Sequence, residues 1–103
     1  MTQYEVKDGC VIVSEGGLQE FDAKFDVACQ ELLESDKKEL CFDLSLIKYI
    51  NSTCVGMIAA TFFAAKDQDK DVRIIGNPSI IRILRTAGFA RFIELEIKEE
   101  AGK

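Results

Sequence analysis

The sequence contains no histidine. That absence removes the Ser-His-Asp relay, the Cys-His nucleophile and histidine acid–base chemistry together. Metal-ligand spacing is missing as well. The four cysteines, Cys10, Cys29, Cys41 and Cys54, form no CxxC pair, whereas a structural zinc site needs closely spaced ligands. No phosphate-cradling GxGxxG or GxxxxGK[ST] loop occurs, so no nucleotide cofactor is expected. With no nucleophile–base pair in view, no metal, no cofactor and no enzymatic activity are expected. No apolar run reaches the length of about 18 residues that suggests a membrane span. The N-terminal "MTQYEVKDG" has no basic segment leading into an apolar stretch, so a secretory signal is not expected either. The expected location is the cytoplasm. Surplus basic charge is lacking: the net charge is −5, which argues against a nucleic-acid partner.

What is present suits a globular α/β protein. The chain has 103 residues, 48% apolar and 30% charged, enough for one core in one domain spanning 1–103. Cys10, Cys29 and Cys41 fall within apolar patterns, where a reduced thiol behaves as a small core residue. Arg82, Arg85 and Arg91 lie in an acid-free stretch, which reads as a solvated helix face.

Hydrophobic periodicity alternates between strand and helix. "TQYEV" (2–6) reads as an edge strand, and "CVIVS" (10–14) as a central strand buried on both faces. Gly16-Gly17 breaks the chain. Phe21, Phe25, Ala28, Cys29 and Leu32 form one stripe of an amphipathic helix over 21–34, with Asp22, Asp26, Gln30 and Glu34 opposite. "ELCFDL" (39–44) is a strand. Residues 52–66 form a second helix, with Val55, Ile58, Ala59 and Phe62 toward the sheet. Its outer face carries Thr53, Met57, Ala60 and Ala64, small and apolar where charge is usual, which suggests a contact surface. "KDQDKD" is a turn and "VRIIG" (72–76) a strand. In "NPSIIRILRTAGF", Asn77 is a candidate N-cap, Pro78 suits the first helical position, and Gly88 suits a left-handed stop followed by Phe89. "FIELEI" (92–97) reads as an edge strand, and the polar tail after it as frayed. The pattern predicts a mixed sheet of about four to five strands packed against helices.

The stretch "DLSLIKYINSTCVGM" (43–57) runs from a strand end into the second helix. A side-chain oxygen at that helix start can accept a bond from an orphan N–H and contribute about 1 kcal/mol. Capping alone therefore accounts for a Ser or Asn there. Asp43-Leu44-Ser45, Tyr49-Ile50, Asn51-Ser52-Thr53 and Val55-Gly56 together resemble the STAS-domain pattern, nearest its stand-alone bacterial anti-sigma-factor antagonists. "NPSIIRILRTAGFARFIEL" resembles the family's third helix, glycine stop and last strand, so the resemblance covers essentially the whole chain.

This resemblance implies a STAS-like fold and a regulatory binding protein. Its partner would be an anti-sigma factor that is also a serine kinase of the histidine-kinase-like ATPase fold. Ser52 would be the phosphoacceptor, with Thr53 as substitute, and a metal-dependent serine phosphatase would reset the switch. Asn51, Ser52, Thr53, Met57, Ala60 and Ala64 would contact the partner. Two positions depart from the family pattern. Asn51 stands where an acidic residue is usual, and Cys54 where a glycine is. Cys54 in a first helical turn raises a redox-sensing alternative, since the helix dipole can lower a thiol pKa. The other functional alternative is a STAS interaction module without phosphorylation, in a transport or signalling complex.

Overall fold

The computed structural model describes residues 3–14 and 23–98. The Gly16-Gly17 break, the start of the first helix at Phe21 and Asp22, and the tail beyond residue 98 lie outside them.

Two strands, β1 (Gln3–Lys7) and β2 (Cys10–Ser14), pair antiparallel through the turn Asp8-Gly9. Both turn residues take positive φ, 53° and 78°. An Asp-Gly pair suits such a turn because its twist matches that of the flanking strands. The next strands, β3 (Glu39–Leu44), β4 (Asp71–Gly76) and β5 (Glu94–Ile97), each join the sheet parallel to the one before. The order is β1-β2-β3-β4-β5, so the sheet is mixed and five-stranded. Three helices make the crossovers: α1 (Ala23–Glu34), α2 (Ser52–Asp67) and α3 (Pro78–Thr86).

Right-handed crossovers in a sheet that grows in one direction place every helix on the same face. Burial follows that layout. Val11, Val13, Leu40, Phe42, Leu44, Val72 and Ile74 join the buried residues of all three helices in one core. Phe25 of α1 lies 6.1 Å, centroid to centroid, from Phe42. Of the residues expected to face the sheet from α2, Ile58 and Phe62 are buried, while Val55 and Ala59 are half-buried and pack against the core. The opposite sheet face carries Cys10, Ile12, Cys41, Asp43, Arg73, Ile75, Glu94 and Glu96, and none of them belongs to the core.

This layout corrects the expectation for β2. Its burial alternates, with Val11 and Val13 inside and Cys10, Ile12 and Ser14 half-exposed. A continuous apolar run signals burial on both faces only where helices cover both. The last strand is shorter than "FIELEI": Phe92 and Ile93 follow a 3-10 turn at Phe89–Arg91, and Ile93 is buried in the core.

The helix ends behave as their residues dictate. Asn77 caps α3 by accepting from the Ile80 N–H at 3.0 Å, with Pro78 in the first turn. Gly88 takes φ 92° just past the end of α3, and Phe89 is buried. Arg82, Arg85 and Arg91 are exposed.

Candidate functional site

The carboxyl end of β3 opens into the loop that delivers α2. Asp43 begins the arrangement: its Oδ1 accepts from the backbone N–H of Ser45 at 3.1 Å and from the Ser45 hydroxyl at 2.7 Å. An acidic side chain bonded two residues ahead is a local turn device. It turns the chain at the strand end and buries Ser45 with its hydroxyl satisfied. Ile47 then plugs into the core. From the neighbouring crossover, the Asn77 amide donates to the carbonyls of Ser45 and Ile47 at 3.2 and 2.8 Å. One asparagine therefore caps α3 and holds the loop before α2. Leu46 and Tyr49 remain exposed on the outside of that loop.

The start of α2 separates the roles of the polar triplet. Asn51 is the N-cap, and its Oδ1 accepts from the Cys54 N–H at 2.8 Å. Ser52 is the first helical residue, and both it and Thr53 are exposed. The cap bond is thus made by Asn51 and not by the Ser52 hydroxyl, contrary to a capping explanation for that serine. No acidic residue lies in the first turn, so nothing there opposes an added anion.

Cys54 is fully buried. The redox-sensing alternative for this thiol fails on that burial, because a thiol sealed in the core is inert. The same orientation shows how the departure from glycine is accommodated: the side chain points inward, away from the outer surface. Asn51 in place of an acidic residue keeps the capping function, at which Asn and Asp rank equally.

The outer face of α2 differs in part from expectation. Thr53 and Ala60 are exposed, but Met57 and Ala64 are half-buried, and Met57 packs against the core. The helical register rotates the stripe: Thr61 is buried and its hydroxyl donates to the Met57 carbonyl at 2.8 Å. Gly56 and Phe63 complete the exposed surface. Phe63 stacks on Phe92, with ring centroids 5.7 Å apart. Sequence reasoning placed Gly56 in the motif but not on this surface, and it missed Phe63 and the tie from Asn77. Asn77 was legible as a cap, but its second set of partners lies some 30 residues upstream.

A groove of about 310 Å³ lined by Phe62, Lys66, Arg73 and Phe92 sits with Glu39 and Asp71, at the amino ends of β3 and β4, away from Ser52. Among the described residues no cluster of side chains could hold a metal ion. Among them, too, no helix is long and apolar enough to cross a membrane.

No family model matches the chain, and no curated protein matches it. Solved structures do. The crystal structure of an anti-sigma factor antagonist from Mycobacterium paratuberculosis aligns with a TM-score of 0.75 at 20% identity, over 95% of this chain and 86% of that one. A candidate anti-sigma factor antagonist from Thermotoga maritima aligns with a TM-score of 0.72 at 16% identity, over 94% and 86%. An NMR structure of the same Thermotoga protein gives 0.68 at 17%, over 95% and 82%. The chain has the STAS-like α/β fold of these antagonists, as the motif resemblance implies.

Proposed function

We propose that this protein is an anti-sigma-factor antagonist that docks through the start of α2 and is switched off by phosphorylation at Ser52. The observation that carries the reading is the division between Asn51 and Ser52. The cap is supplied by one residue, and the next presents an exposed hydroxyl at a helix N-terminus. The fold shared with anti-sigma factor antagonists supports the same reading. The partner is a serine-kinase anti-sigma factor, and a metal-dependent phosphatase restores the hydroxyl.

The electrostatics suit a switch. A phosphate adds about −1.5 to −2 charges at neutral pH. At the amino end of α2 the helix dipole favours that charge by about 0.3–1 kcal/mol, so the fold persists. Within an interface the same group loses water, and an unpaired charge there costs several kcal/mol. A loss of about 3 kcal/mol weakens binding roughly a hundredfold. Thr53, exposed beside Ser52, is the alternative acceptor, and Gly56, Ala60 and the Leu46 and Tyr49 side chains extend the docking surface.

The test pairs chemistry with binding. Incubation with ATP and the cognate kinase is expected to add one phosphate, mapped by mass spectrometry to Ser52. Ser52→Ala is expected to hold the kinase as unmodified protein does, and Ser52→Asp to bind it at least tenfold more weakly. Equal affinities for the two variants, with no phosphate added, would favour an interaction module that works without the cycle.

A further inference from the structure

The open face of the sheet holds a pair of nucleophiles that docking through α2 leaves unused. Cys10 and Cys41 are register partners on the parallel strands β2 and β3. We propose that these two cysteines are a redox modification site, closing into a reversible disulfide across the sheet when a peroxide reaches Cys10.

The backbone sets the geometry. Neighbouring strands lie about 4.8 Å apart, within the roughly 4.4–6.8 Å between Cα atoms that a disulfide spans. Register partners also point to the same face, so the two side chains stand side by side. Their row runs Lys7, Cys10, Cys41, Arg73, Glu94 across the sheet, so a cation stands on each side of the pair. Arg73 also pairs with Glu96 at 2.7 Å. No described helix covers this face. Cys41, only 7% exposed, lies outside the core cluster. Cys10 is half-exposed, while Cys29 and Cys54 are buried beneath the helices.

The surroundings divide the labour. The neighbouring Cys41 side chain holds the Cys10 thiol below its ordinary pKa, helped by Arg73 and opposed by burial and Asp43. Cys41 is pushed up by Cys10 beside it and by burial. Cys10, the half-exposed member of the pair, is therefore the attacking thiolate, and the buried Cys41 is the resolving thiol. The Cys10 sulfur attacks one peroxide oxygen; an S–O bond forms, the O–O bond breaks, and hydroxide leaves to become water. The Cys41 sulfur then attacks the Cys10 sulfenic acid; the S–S bond forms, the S–O bond breaks, and the departing hydroxide takes the Cys41 proton as a second water. Two thiols lose two electrons and two protons, and one peroxide becomes two waters. Cys41 needs no solvent access, because its attacking partner is its register neighbour on the next strand.

The test uses the unmodified protein, so it does not depend on a variant folding. The protein is treated with a small excess of hydrogen peroxide at neutral pH, denatured in an alkylating reagent and mapped without reductant. The expected result is a peptide linking Cys10 to Cys41 within one chain, a mass lower by two hydrogens, and alkylation at Cys29 and Cys54 only. Dithiothreitol is expected to restore all four alkylations. Cys10→Ser should lose the link and Cys54→Ala should keep it. Oxygen added at Cys10 with Cys41 still alkylated, a link between two chains, or no reaction would each overturn the proposal.

Discussion

Single residues show how position in the fold overrides chemical type. Ser52 and Asn51 are neighbours of similar capping ability, yet only Asn51 bonds the helix. The cysteines differ as sharply. Cys29, on the core side of α1, has its thiol pushed up to about 11 from an ordinary 9.0, chiefly by burial. Below pH 9 both folded and unfolded chains keep that proton, so Cys29 adds no pH dependence. Above it the unfolded chain loses the proton while the folded one keeps it, and stability falls until the folded thiol ionises too. At about 1.4 kcal/mol per pH unit the loss is on the order of 2–3 kcal/mol by pH 11. Urea unfolding of wild type and Cys29→Ala should show the gap between them narrowing from pH 9 to 11. Parallel curves would assign the alkaline loss to other groups.

At the scale of elements, α2 serves two surfaces at once. Ile58, Phe62 and Ala65 anchor it in the core, while Ser52, Thr53, Gly56 and Ala60 face outward. A glycine inside a helix costs about 0.5–1 kcal/mol relative to alanine, through backbone freedom in the unfolded chain. Nothing lies within 4 Å of where a Gly56 side chain would project. Gly56→Ala is therefore expected to raise stability by about that amount in urea unfolding, and, if the proposed docking through α2 holds, to weaken binding of the proposed partner through the added methyl. Stabilisation without any loss of binding would remove this part of α2 from the interface. The sheet is divided in the same way: each strand offers one row of side chains to the helices and another to the open face, where Cys10 and Cys41 meet.

In the whole molecule, the two crossovers leaving β3 and β4 are tied to each other through Asn77. Its Oδ1 caps α3, and its amide holds the Ser45 and Ile47 carbonyls of the loop that positions Ser52. Asn77→Ala removes all of these bonds and is expected to cost about 2–4 kcal/mol. Asn51→Ala removes one cap bond and is expected to cost about 1 kcal/mol. Chemical denaturation of both variants checks the order, and equal costs would mean that the tie adds nothing beyond the cap. Local signals in the sequence determined much of this protein: the strand and helix alternation, the cap at Asn77 with Pro78 after it, the stop at Gly88, and the motif resemblance that implied the fold. They could do so because periodicity, capping and positive φ depend on residues only a few positions apart. Tertiary structure alone decided that β2 has one open face, that Met57 turns inward, that Cys54 is sealed while Cys10 meets Cys41, and that Asn77 braces a loop some 30 residues earlier. Each of those outcomes depends on which face the helices cover and how the strands align, and both arise only when distant parts of the chain pack together.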